Sequence, residues 1–117
     1  MNSHSEDVFL PIIDWEQAAK LAGSRIDLAK DFLKLFVETL ENEIVALEKL
    51  KDDRDELLKR LHRIRGAAAY CGIPRFKHAL LSTENIYKLD HTAEARATHL
   101  QLLLDNAREL IEYHAQL

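Results

Sequence analysis

The chain has 117 residues, of which 47% are hydrophobic and 31% charged, with only 3 Gly and 2 Pro. That length supports one domain around one core and is too short for a kinase carrying its own nucleotide-binding domain, and the scarcity of turn residues argues against a sandwich, a barrel or a disordered chain. A formal net charge of −4 argues against a nucleic-acid binder or a polybasic membrane module, and a single cysteine, Cys71, cannot form an intramolecular disulfide, which points to a reducing cytoplasm.

Residues 1–13 carry no periodicity and read as a tail or linker. A single domain is expected over residues 14–117. Asp14 and Gln17 have the spacing of a capping box, which opens a short helix to about Ala22, and Gly23 supplies a left-handed stop. A second helix follows from Ser24 or Arg25 to about Leu50, with Ile26, Ala29, Leu33, Phe36, Leu40, Ile44 and Leu47 as its apolar stripe. The acids Asp52, Asp53, Asp55 and Glu56 mark the start of a third helix, which Gly72 and Pro74 end. Pro74 then opens a fourth, with Phe76, Ala79, Leu80, Thr83 and Ile86 on one face to about Leu89. After Asp90-His91-Thr92 a fifth runs from Ala93, with Ala97, Leu100, Leu104, Ala107 and Ile111 inward. Four long amphipathic helices on short links predict an all-α, up-down-up-down four-helix bundle with a short additional N-terminal helix.

Charge is uneven along this pattern. Residues 57–77 hold six Lys or Arg and no acid, namely Lys59, Arg60, Arg63, Arg65, Arg75 and Lys77, with His62 among them. Cations at a helix C-terminus are favoured by the macrodipole, so the block alone proves little. On a helical wheel of about 100° per residue, Leu57, Leu61, Ile64, Ala68 and Cys71 form the core face, and His62 points roughly 140° away from it. Leu58, Gly66 and Ala69 share the outward side of His62, where a solvated helix would carry long charged residues. Gly66 is the sharpest feature. Glycine in a helix costs about 1 kcal/mol relative to alanine, and the next three residues are alanines, so the missing Cβ must serve something else. Close helix packing is the structural explanation, but Gly66 lies opposite the core side. Access of a partner to the imidazole one turn earlier explains it better.

The run His62-Arg63-Ile64-Arg65-Gly66-Ala67-Ala68-Ala69-Tyr70-Cys71-Gly72 resembles the signature of histidine phosphotransfer (HPt) domains, His-x-aliphatic-Lys/Arg-Gly-small-small. Gly72-Ile73-Pro74-Arg75 and the Asp14-Trp15-x-x-Ala18 opening are similar to the HPt domains that end BarA-type hybrid sensor kinases. Arg65 departs from the commoner lysine, which keeps the charge and alters its geometry. The resemblance implies that His62 is the phospho-acceptor, with Arg65 and Gly66 completing the catalytic set, and the outward face and basic block around it make Leu58, Lys59, Arg63 and Ala69 the residues expected to meet the partner. It implies phosphoryl exchange with the aspartate of a response-regulator receiver domain, no ATP site, no cofactor in this chain, and Mg²⁺ only on the receiver. The rest of a hybrid sensor histidine kinase is a further expected partner, and a monomer is expected because an acceptor must stay exposed.

Two rivals belong to other classes. In a kinase dimerisation and phosphoacceptor domain an acidic residue typically follows the histidine and Thr or Asn lies near the glycine, whereas Arg63 and Gly66 stand here. A helical interaction module that is never phosphorylated is the other. Metal binding has no His-x-x-x-His or Cys-x-x-Cys pair to stand on, and a short basic block in an acidic chain is weak support for nucleic acid.

Overall fold

Side-chain caps open three of the five helices in the computed structural model, which describes residues 10–89 and 91–117. Helix α1 covers Trp15–Leu21, α2 Ile26–Lys49, α3 Arg54–Ala68, α4 Pro74–Lys88 and α5 Ala93–Ala115. Asp14, Asp53 and Thr92 accept from the backbone N–H groups of Gln17, Glu56 and Ala95, so each satisfies a donor that the first helical turn leaves open. Pro74 opens α4 without needing an N–H. Among the described residues there is no strand, and no helix is long and apolar enough to cross a membrane. Most of the proposed N-terminal tail, residues 1–9, lies outside the described residues, as does Asp90 in the α4–α5 link.

Helices α2, α3, α4 and α5 pack in a ring, each against the next and α5 back against α2, while α1 lies against α2. This is the expected all-α bundle. Leu33, Phe36, Leu40, Ile44 and Leu47 of α2 face Leu57, Leu61, Ile64 and Ala68 of α3, and Leu80, Leu100, Leu103, Leu104 and Leu110 complete the core. Phe36 and Phe76 meet edge to face with centroids 5.6 Å apart, which ties α2 to the start of α4.

Several local expectations need correction. The capping box at α1 is only half made: Asp14 accepts from the Gln17 N–H, but its own N–H donates to Gly72 O at 2.8 Å, in the turn after α3, rather than to the Gln17 side chain. Ser24 joins Gly23 in the left-handed region, with φ of +67° and +66°. Helix α3 ends at Ala68, before Gly72, because the chain turns at Tyr70. The inward faces are rotated at three places. Ile26 and Ala97 are exposed, Ile86 and Ile111 are half-buried, and Tyr87, Leu103 and Leu110 take core positions. Helix α4 is flanked by α3 and α5, so its buried face is wider than a single stripe and reaches Glu84, which is fully buried.

Candidate functional site

His62 sits in the third turn of α3, exposed, on the side away from Leu57, Leu61, Ile64 and Ala68. Burial of those four fixes the rotation of α3 and so directs the imidazole outward. Gly66 lies one turn on. A Cβ built there meets nothing within 4 Å, so no neighbouring helix requires the glycine. Gly72 is the opposite case: a Cβ there would come within 2.6 Å of Ala18 N and 2.7 Å of Ala18 Cβ. The packing glycine is Gly72, and the open one is Gly66.

Arg65 Nη2 lies 2.8 Å from His62 Nδ1. A guanidinium has only donors, so Nδ1 is the acceptor in this contact. No hydrogen bond to Nε2 is formed among the described residues, so that nitrogen is unobstructed, and in a neutral ring whose Nδ1 accepts it is Nε2 that carries the proton. Behind Arg65 stands Glu84 of α4, with Oε1 3.5 Å from Arg65 Nε and Oε2 3.6 Å from Lys88 Nζ.

The basic block is acid-free in sequence and not in space. Glu43 of α2 lies 3.3 Å from Arg60 and 3.6 Å from Arg63, Glu56 pairs with Lys59, and Glu109 of α5 pairs with Arg75 at 2.9 Å. Burial raises the Glu43 carboxyl above its usual value, and Arg63 opposes that shift. Lys59 and Arg63 remain mostly exposed at their charged ends, so they can still meet a partner, but each carries an acid with it. The block that is acid-free along the sequence is therefore compensated in space, by acids from three helices.

Of the apolar residues expected on the outward side, Ala69 is exposed and Leu58 is half-buried against the core. The more exposed apolar surface lies elsewhere. Phe32, Leu35, Phe36 and Thr39 of α2, with Ala67, Tyr70 and Cys71, line a shallow groove of about 260 Å³. Leu35 is 61% and Tyr70 62% exposed, and the Tyr70 ring stands 6.2 Å from that of Phe32. Ala67 brings this groove next to Gly66. Leu35 could have been noticed in the sequence, because it is a leucine off the α2 stripe. Glu84 had a weaker signal, an acid spaced by four from Leu80 and by three from Tyr87.

A larger concavity of about 620 Å³ lies at the start of α3, among Glu48, Arg54, Tyr87, Arg96 and Arg108. It shares no residue with the His62 surface. Its cations have internal work: Arg54 donates to the carbonyls of Tyr87 and Lys88, and Arg108 pairs with Glu48. Among the described residues no group of His, Cys, Asp and Glu could hold a metal ion.

A family model of the Hpt domain matches residues 31–113. The chain belongs to the Hpt domain family. Hpt domains are phosphocarriers of two-component relays and not kinases. The match begins beyond the Asp14-Trp15 opening, so that part of the resemblance lies outside it. This Hpt domain is 33% identical over 88 residues, 72% of its length, to the sensor protein GacS of Pseudomonas syringae pv. syringae. It is 26% identical over 95 residues, 80% of its length, to the signal transduction histidine-protein kinase BarA of Escherichia coli K12. In each case it spans 10% of the relative. Its fold matches the HPt domain from the Hpt sensor hybrid histidine kinase from Shewanella, with a TM-score of 0.80 and 21% identity, over 90% of this chain and 92% of that one.

Proposed function

We propose that His62 accepts and returns a phosphoryl group in exchange with the aspartate of a receiver domain, as a monomeric cytoplasmic carrier. The observation that carries this reading is the open approach to the imidazole: His62 is exposed and nothing lies within 4 Å of a Cβ at Gly66 one turn later. In the forward step the receiver displaces Arg65 from Nδ1 and the ring reacts as the Nδ1–H tautomer: the Nε2 lone pair attacks phosphorus, the N–P bond forms, and the bond to the aspartyl oxygen breaks with its electron pair returning to the carboxylate. The ring proton leaves to solvent. The reverse step restores the acyl phosphate. Mg²⁺ and the acceptor aspartate belong to the receiver, and this chain supplies the imidazole, a cation at Arg65 and an unobstructed in-line path.

Lys59, Arg63, Leu58 and Ala69 are assigned to the rim of the contact. To them the apolar groove of Phe32, Leu35 and Tyr70 adds a surface that an apolar receiver face would cover. The test is incubation with a receiver phosphorylated by a small-molecule donor. Wild type should gain a label that acid removes and base preserves, and His62→Gln should gain none. Equal labelling of both proteins would remove His62 from the mechanism, and no label on either would leave a binding module as the better reading.

A further inference from the structure

Glu84 is the one charged side chain among the described residues that is buried, at 0% exposure, and phosphoryl exchange as derived above gives it no task. Neither carboxyl oxygen accepts a hydrogen bond. Burying a carboxyl without hydrogen bonds is unfavourable, so its two ion pairs must compensate. One of them runs to the reactive ring. Arg65 turns Nε toward Glu84 Oε1 at 3.5 Å and Nη2 toward His62 Nδ1 at 2.8 Å, so a single guanidinium bridges α4 to the imidazole.

Because Arg65 can only donate, Nδ1 in this arrangement presents its lone pair and carries no proton. A ring phosphorylated on Nε2 satisfies that requirement. The phosphoryl group leaves most readily from the opposite form. With a proton on Nδ1, the P–Nε2 bond breaks with its electron pair moving to Nε2, a water or carboxylate oxygen forms the new bond to phosphorus, and the departing imidazole is neutral. Without that proton the leaving group would be an imidazolate. We propose that Glu84 is a positioning residue that holds Arg65 on His62 Nδ1, and so keeps the phosphorylated ring in its slow-leaving form until a receiver displaces Arg65. This rests on His62 being the acceptor.

The charged groups facing this part of α3 are few enough to separate. Lys59, Arg63 and Arg65 lie on α3 itself, Glu43 comes from α2 and is taken up by Arg60 and Arg63, and Glu84 and Lys88 come from α4. Two effects of removing the Glu84 charge then have opposite signs. Acting directly on the ring, loss of a negative charge disfavours protonation of Nδ1 and lengthens the phosphohistidine lifetime. Acting through Arg65, it frees the guanidinium, favours protonation and shortens the lifetime.

The experiment uses the full chain phosphorylated by phosphoramidate, which needs no partner, with the His62 label followed by site-resolved mass spectrometry and His62→Gln as background. Label loss is timed from about pH 5 to about pH 9, a span that brackets imidazole titration. Glu84→Gln and Arg65→Ala should each lose label about three- to tenfold faster near neutral pH, with the acid limb of the profile moved to higher pH. The double variant should be no faster than Arg65→Ala alone. If Glu84→Gln fails to fold by circular dichroism, Glu84→Asp, whose carboxyl is drawn back from Arg65, gives the same reading. An unchanged or slower profile in the folded Glu84 variant would overturn the proposal, and so would additive rates in the double variant. Because the donor is chemical, these outcomes are independent of whether a receiver exchanges with His62, which the preceding experiment decides.

Discussion

Gly66 and Gly72 share one stretch of chain and answer to different constraints. At Gly66 the space is open, so Gly66→Ala should raise stability by up to about 1 kcal/mol in urea denaturation, through the backbone entropy that glycine loses on folding. Gly66→Gln should leave the melting temperature near wild type and slow transfer from a phosphorylated receiver, because its side chain projects from one turn beyond His62. A destabilised Gly66→Ala, or a Gly66→Gln that transfers at the wild-type rate, would contradict the access role. At Gly72 a Cβ would strike the backbone of Ala18, so Gly72→Ala should destabilise by about 1–3 kcal/mol, and an unaffected midpoint would show that α1 does not hold its place. The outward direction of His62 and Gly66 was legible from helical periodicity alone. The demand on Gly72 was not, since the chain that crowds it lies more than fifty residues earlier.

Helix starts could be read from sequence because capping is local: Asp14, Asp53 and Thr92 each act on a residue three positions on. Inward faces were less legible, because a stripe assigned by hydrophobicity alone cannot show how many neighbours a helix has. Helix α4 touches both α3 and α5, and that wider contact buries Tyr87 and Glu84 where a single stripe had Ile86. An acid on that face goes unread until its partners Arg65 and Lys88 are placed in space. The α1–α2 turn shows a similar limit. Gly23 announces a left-handed residue, but Ser24 follows it at φ +67° with nothing in its chemistry to signal this. Ser24→Gly should relieve that conformation and raise stability by about 0.5 kcal/mol, the αL cost of a side chain less the added entropy of glycine. A loss of stability on chemical denaturation would argue against strain at this turn.

Across the whole molecule, charge counted by segment misleads in a bundle, because helices distant in sequence bring their acids alongside. Glu43, Glu84 and Glu109 reach the block that looked uniformly basic, so receiver docking should owe less to a broad positive field than the sequence suggests. Packing has a second global consequence at Cys71. Burial pushes its thiol up to about 11, against the opposing charge of Lys77. The protonated form is thus favoured in the fold, and its contribution to stability is present below the usual 9.0 and lost as pH rises through about 11. Cys71→Ala should therefore lose less stability than wild type between those two values when urea midpoints are compared. Parallel curves would show that the thiol ionises as freely in the fold as in the unfolded chain.

The claim that joins these scales is that one outward imidazole, cleared by Gly66 and held by Arg65, carries the phosphoryl group. It is tested most directly by mapping the modified residue after exchange with a phosphorylated receiver, under alkaline conditions that preserve the N–P bond, using tandem mass spectrometry of the intact chain's peptides. Phosphate should be found on His62 and on none of the other histidines, and it should disappear when unphosphorylated receiver is added back. Phosphate on another residue, or a His62 label that the receiver cannot retrieve, would contradict the account.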